Sequence, residues 1–405
     1  MKIAKLSLVA AVAVAGLSTA NAQPLEEAIK GVETSGSVVY RYNDNSNDVV
    51  GGESDQTNNY KVGLNLSSKV NDDVKFNSRF IVGNSKNAGF VQLGNNPGNA
   101  ANNTKDTADT DTNAEVSLSH AYFGYTGIKN TTVNVGKQGL TTPWTVAIDS
   151  DGNEQTGTGI LALSTMGPVT LAGAYFNQTN LDESGDAVTV FNANGEGDED
   201  LATVGVIGVA GPVTLDAWYA DAQDRFDSYT VGAKASPEYA GIKFGTEARF
   251  TSLDADALDT DNSIAKIVLT GDAGLVDAKV AYAMTDKDGG LAALDNDAVT
   301  NLLGWSLSAN GKADADYWQA VLGFDILSNL NLSANYGNLK YIAAANSTTD
   351  IEEEEVYAQL SYKMSKNLNT YVRYGTYTKE TTAQGAATVE NYDDVRGRLQ
   401  VEYTF

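Results

Sequence analysis

Residues 396–405 read RGRLQVEYTF. Gly397, Leu399, Val401, Tyr403 and Phe405 take one set of alternate positions, and Arg396, Arg398, Gln400, Glu402 and Thr404 take the other. Period two is the signature of a β-strand, whose successive side chains point to opposite faces. Chain ends are ordinarily polar and frayed, so an apolar stripe that runs to Phe405 implies two solvents, one on each side of a strand.

The same division recurs inward along the chain. KVGLNLS (61–67) sets Val62, Leu64 and Leu66 against Lys61, Asn65 and Ser67. VKFNSRFIV (74–82) sets Val74, Phe76, Phe80 and Val82 against Lys75, Asn77 and Arg79. IKFGTEARF (242–250) and TYVRYGTY (370–377) repeat the pattern, with Arg249 and Arg373 on the polar faces. A soluble sandwich with its apolar faces turned inward produces such alternation, and so does a membrane barrel with them turned outward.

The connections favour the barrel. Short turns at GIKN (127–130), MGP (166–168), AGP (210–212), DAG (272–274) and KMSK (363–366) alternate with long polar stretches at 43–58, 84–115, 139–156, 179–200, 285–314 and 379–390. Transmembrane barrels have this asymmetry, with short periplasmic turns and longer external loops. Tyr40, Tyr42, Phe123, Tyr125, Tyr403 and Phe405 lie near turns, where an interfacial aromatic girdle belongs. A direct count finds about nineteen strands, but termini on the same side require an even number. SNL (328–330) reads as a periplasmic turn, so LLGWSLSA (302–309) is assigned to the external loop 285–314. The expected fold is an all-β transmembrane antiparallel barrel of about 18 strands, a size that encloses an aqueous channel.

The opening stretch MKIAKLSLVAAVAVAGLSTANA (1–22) has Lys2 and Lys5, an apolar run from Leu6 to Leu17, then Ala20-Asn21-Ala22. It reads as a secretory signal, leaving 23–405 as the barrel domain of a Gram-negative outer membrane. The net charge of −25 argues against nucleic acid, whose phosphates need Lys and Arg. It favours cations, solubility, or an outer surface bridged by divalent ions; the partners expected of an outer-membrane barrel are lipid and lipopolysaccharide. With no Cys, disulfides and thiolate metal sites are excluded. Twenty Tyr and 39 Gly against 6 Pro suit strands better than a disordered chain.

Nothing in the sequence assembles a catalytic group, and no enzyme is expected. The single His, His120, falls on a polar strand face with Tyr122 and reads as a wall residue. QTGTGILA (155–162) has dinucleotide-type glycine spacing but opens a strand instead of a helix. IDSDGNE (148–154) gathers Asp149, Asp151 and Glu154 around Gly152, like the opening of a calcium loop, although a solvated acidic loop has the same composition. Arg41, Arg79, Arg249, Arg373, Arg396 and Arg398 occupy polar faces at both ends of the chain, which a closed barrel makes neighbours. An acidic loop folded opposite them would set a transverse field at a constriction. Alternatively, these arginines brace the wall by pairing with Glu247 and Glu402.

GKQGLTTPWTVAID (136–149), followed by Gly-Thr-Gly at 157–159, resembles the major outer membrane protein family of Campylobacter-type bacteria, a porin family. PLEEAIK (24–30), VVYRY (38–42) and the ending at 398–405 resemble it as well. The resemblance implies an eighteen-stranded homotrimeric, cation-selective porin passing small hydrophilic solutes, with its constriction shaped by the third external loop. It also implies a calcium ion there, with Asp149 as one ligand and Asp186 as the counterpart of a second. Two rival expectations stand beside it: a substrate-selective porin using Trp144, Trp218, Trp305 or Trp318 as solute contacts, and a barrel acting mainly as a surface adhesin.

Overall fold

The computed structural model describes residues 31–49, 52, 54–84, 87–93, 115–186, 200–256 and 261–405. The expected signal segment lies outside the described residues. One antiparallel sheet runs through the chain. Its first strands are β1 (Glu33–Asn47), β2 (Ser54–Lys69), β3 (Val74–Gly83), β4 (Val91–Leu93), β5 (Glu115–Tyr125) and β6 (Thr131–Gly139). Next come β7 (Thr156–Met166), β8 (Val169–Thr179), a single helical turn α1 (Leu181–Ser184), β9 (Leu201–Ala210) and β10 (Val213–Ala222). The chain continues through β11 (Phe226–Ala235), β12 (Glu238–Tyr239), β13 (Ile242–Ala255), β14 (Asp261–Asp272) and β15 (Val276–Thr285). It ends with β16 (Ala313–Leu327), β17 (Leu330–Ile342), β18 (Thr349–Lys363), β19 (Leu368–Ala383) and β20 (Val389–Thr404).

β4 and β12 are short additions beside β2 and β13. The other strands form a closed barrel of 18. Closure is made by β1 on β20, from Ser37 opposite Thr404 to Asn47 opposite Asp394. A closed barrel pairs every backbone donor and acceptor sideways, and so leaves no edge to be satisfied in hydrocarbon.

The alternation resolves as expected for lipid outside. Val38, Tyr40, Phe123, Phe244, Phe250, Val372, Tyr374 and Tyr403 are exposed on the outer wall. Arg41, Lys61, Arg79 and Arg249 are buried on the inner side. So broad an apolar outer surface suits an acyl phase and does not suit water.

Two expected long loops are tighter than their composition suggests. β1 and β2 extend through the polar run 43–58, leaving only 48–53 between them, and β19 and β20 close to 384–388. There the wall stands in water on both faces, so its strands show no apolar period. The segment 285–314 departs further from expectation. Between β15 and β16 it folds into the barrel, where Leu291, Ala292, Ala293, Leu294, Leu302 and Leu307 are buried. LLGWSLSA is indeed part of it, crossed by one isolated bridge between Leu303 and Ser308.

The interior therefore has two apolar cores. One joins Leu140, Trp144, Leu181, Leu291 and Leu294 from the loops to Phe176, Leu201, Phe226 and Leu253 of the wall. The other packs Leu302, Leu307 and Ala309 against Ile264, Tyr317, Leu339, Tyr341 and Tyr377.

Candidate functional site: the lumenal constriction

The connection 140–155 is the third on the long-loop side. It leaves β6, turns inward and lies against the inner faces of the neighbouring strands β5, β3, β2 and β1. Its tip turns at Gly152, whose φ of +84° places it in the left-handed region. A Cβ there would lie 2.6 Å from the Phe90 ring, so glycine answers both the turn and the close approach.

Glu154 anchors this loop. Its side chain is fully buried, and its Oε1 accepts hydrogen bonds from Lys61 Nζ at 2.7 Å and Arg79 Nη2 at 2.8 Å. Arg79 Nε donates to both carboxylate oxygens at 3.0 Å, and Ser119 Oγ donates to Oε2 at 2.5 Å. A bulge makes the last contact possible. β3 pairs Arg79 with His120 but Phe80 with Leu118, so Ser119 is the extra residue and turns inward beside His120. Gly63 leaves room for the arginine, since a Cβ there would lie 2.6 Å from Arg79 Nη2. Burial alone would push the Glu154 carboxyl up, but Arg79 and Lys61 outweigh it and hold it below the usual range.

Next to this anchor, Arg41 Nη2 donates to the Ser150 carbonyl at 2.6 Å, and its Nη1 meets Asp151 at 3.2 Å. Arg398 stands 4.0 Å from the same Asp151, which is largely exposed to the lumen.

The third, fourth and seventh long-side loops are tied together. The Leu294 and Asp295 N–H groups donate to the Trp144 carbonyl, and the Thr300 N–H donates to Pro143. The Ser150 N–H donates to Asp297 at 2.9 Å, and the Asn296 N–H to Asp186 at 2.8 Å. Gln155 Nε2 donates to Asp295 at 2.9 Å. The junction thus gathers Asp149, Asp186, Asp295 and Asp297, with Asp151 at its rim. Among the described residues, none of the first four has an ion pair.

The chemistry follows from that imbalance. Burial, with Asp151 and Asp297 nearby, raises Asp149 to about 6 even though Asn153 donates to both its oxygens. Burial likewise raises Asp186. Asp295, fully buried and facing Asp149, Asp186 and Asp297, is raised to about 8. An excess of carboxylate oxygens is the donor chemistry of a hard cation such as calcium. Among the described residues, however, no three acidic or His side chains converge closely enough to form a metal cage.

The arginines divide. Arg79 lies in the buried anchor and Arg41 beside the loop tip. Arg249 is buried on β13, donating to Asp216 at 2.8 Å and Thr230 at 3.1 Å, so it braces the wall instead of lining the aperture. Glu154 anchors the loop, and its carboxylate does not face water. Glu247 pairs with Lys234, Lys266 and Arg249 as the bracing alternative expected, while Glu402 has no ion pair among the described residues. Arg373 and Arg398 line an open cavity.

The tryptophans also divide. Trp144 is core, Trp218 packs against that core, Trp318 is exposed beside Tyr282, and Trp305 lines the cavity. Asp295 and Asp297 were not legible as site residues. Their one signal was an apolar run, LAAL (291–294), in a segment otherwise read as solvated.

Solved structures share this fold. OccAB3 of Acinetobacter baumannii matches with a TM-score of 0.73 at 15% identity, covering 93% of this chain and 99% of that one. Pseudomonas aeruginosa OccK2 (OpdF), solved in complex with glucuronate, matches at 0.69 with 16% identity over 92% and 98%. Pseudomonas aeruginosa OpdK, solved with vanillate, matches at 0.70 with 13% identity over 93% and 99%. No curated protein matches. The model of the Campylobacter major outer membrane protein family matches residues 1–405, and with the closed barrel and its inward third loop this makes the chain a porin of the Gram-negative outer membrane that belongs to that family.

Proposed function

We propose that this porin is a passive, cation-favouring pore for ions and small hydrophilic solutes, without enzymatic activity. The observation that carries the reading is the set of carboxylates at the loop junction without an ion pair among the described residues, Asp149, Asp186 and Asp297, with Asp295 buried behind them. Arg41 and Arg79, by contrast, are occupied by Asp151 and Glu154. Fixed negative charge at a constriction concentrates cations and repels anions. A reversal potential of cationic sign across a KCl gradient is expected in planar bilayers, and an anionic sign defeats the reading. Asp149→Asn with Asp295→Asn should weaken the preference.

The same groups give a pH dependence. With Asp149 at about 6 and Asp295 at about 8, raising the pH ionises first one and then the other. Cation preference should climb in two steps between about pH 5 and pH 9. A flat selectivity profile over that range excludes these carboxylates from control of the pore.

Calcium belongs to the same proposal. As the family resemblance implies, Asp149 and Asp186 would supply oxygens to it, and with no third acidic side chain converging on them among the described residues, the rest of its shell would be carbonyl oxygens and water. The support is donor chemistry and charge. Calorimetric titration of purified protein should show binding that strengthens with pH, and equal binding by Asp149→Ala removes that residue as a ligand. Assembly as a homotrimer, implied by the family resemblance, is tested by light scattering in detergent.

A further inference from the structure

We propose that the lumen also contains a subsite for a small planar organic carboxylate, centred on Arg373 and Trp305. The inference goes beyond passive ion flow and rests on the pore reading only for access.

Most cations of the inner wall are already matched. Lys61 and Arg79 meet Glu154, Arg249 meets Asp216, Lys266 meets Glu247, and Arg396 meets Asp394. Two cations depart from this pattern. Among the described residues, neither Arg373 on β19 nor Lys279 on β15 has a carboxylate within ion-pair distance, although both are half-buried. Arg398 has only Asp151 at 4.0 Å, and that carboxylate is closer to Arg41 at 3.2 Å. Arg373, Arg398, Lys279 and Lys266 line one cavity of about 380 Å³ with Trp305 and Tyr371, and Asp151 and Asp297 stand on its acidic side, towards the third and seventh loops. That volume suits a small ligand.

The surroundings of Arg373 select the ligand's shape. Its Nε donates to Gln359 Oε1 at 2.8 Å, and among the described residues no hydrogen bond engages its two terminal nitrogens. The guanidinium lies 4.9 Å from the ring centres of Trp305 and Tyr357, and 5.4 Å from that of Tyr371. A guanidinium fork with free N–H groups pairs two-pronged with a carboxylate, and aromatic walls favour a flat body.

The indole is held in place by its own loop. The Trp305 and Ser306 N–H groups donate to the Glu355 carboxylate at 2.9 and 2.7 Å, and Tyr357 stacks edge-on at 5.2 Å. A site whose parts are fixed before the ligand arrives loses less entropy on binding. The pore's overall acidity does not oppose this. It lowers the local concentration of anions, whereas the subsite acts by contact on those that enter.

Single-channel recording in KCl tests the proposal with benzoate as the probe, and with acetate and neutral benzamide as controls. Benzoate should reduce the current saturably, at concentrations where acetate and benzamide do not. Arg373→Gln and Trp305→Leu should each weaken the block about tenfold, as loss of one charged or stacking contact does. Lys279→Gln should weaken it by a smaller factor. Each variant must insert and open stable channels, which shows that its barrel is intact, and its block is read against its own current without benzoate. If one variant does not insert, the other two carry the test.

Three outcomes overturn the subsite: no block by benzoate, equal block by acetate, or undiminished block in the intact variants. Absence of any KCl conductance would count against the pore reading instead. Benzoate-dependent tryptophan fluorescence in detergent, lost in Trp305→Leu, then reads the subsite on its own, and no response there overturns it.

Discussion

Glu154→Ala frees the tip of the third loop from the wall, and the channel then shows a larger, noisier conductance. The carboxylate it removes faces two cations, Lys61 and Arg79, whose side chains are almost wholly buried. Breaking such a cluster from one side leaves uncompensated buried charge and costs about 3–5 kcal/mol. The barrel's own strand pairing does not depend on Glu154, so the loss falls on the docking of residues 150–154. Lys61 also donates to the Gly152 carbonyl, so the loop's turn loosens with its anchor. Glu154→Gln keeps the shape and removes the charge, and its effect should be intermediate.

The lowered Glu154 carboxyl gives the contact a definite pH range. A carboxyl held below its unfolded value adds stability that is present above that value and fades as the pH falls through the folded one. The anchor therefore persists at neutral pH and yields only in acid. Bilayer conductance and protease cleavage within 140–155 measure the effect. Wild-type conductance together with wild-type protection in Glu154→Ala would show that the loop is held by other contacts.

Trp144→Ala should have an effect of comparable size by a different route. The indole is among the largest fully buried side chains, and it packs where the third, fourth and seventh loops meet the wall. Removing it leaves a cavity among Leu140, Leu181, Leu291 and Leu294, and large-to-small core changes of this kind cost about 3–5 kcal/mol. The Trp144 carbonyl accepts the Leu294 and Asp295 N–H groups, so the acidic junction moves with it. Altered ion selectivity and faster hydrogen exchange in both 140–155 and 286–312 are expected. Trp144→Phe should cost less, because Nε1 is buried without a partner among the described residues, so its loss removes none of the bonds seen there. If exchange quickens in one loop only, the two loops are not packed as a unit.

The barrel wall was readable because its signal is local. Each strand separates lipid from water over its own length, so Leu399 and Arg398, or Val372 and Arg373, declare their faces without reference to distant residues. Alternation alone counted about nineteen strands, and the demand for an even number, with 302–309 assigned to a loop, brought the count to about 18. Alternation failed where both faces share one environment. The ends of β1, β2, β19 and β20 stand in water on both sides. At Phe176, Phe226 and Leu253 the inner face is apolar because loops pack on it.

The inward third loop was readable only in part. Asp149, Asp151 and Glu154 are close in sequence, and their clustering marked the third loop. Their division of labour was not visible, because burial and pairing are set by partners far away in the chain: Arg79 is 75 residues from Glu154, and Asp297 is 147 residues from Ser150. The inward turn of 286–312 was likewise hidden, since an acidic segment with a few leucines is compatible with solvent until a complementary apolar wall is present. Local periodicity settles which side of a strand meets oil and which meets water. Where a loop lies inside a closed wall depends on long-range contacts, and those exist only once the barrel has brought distant residues together.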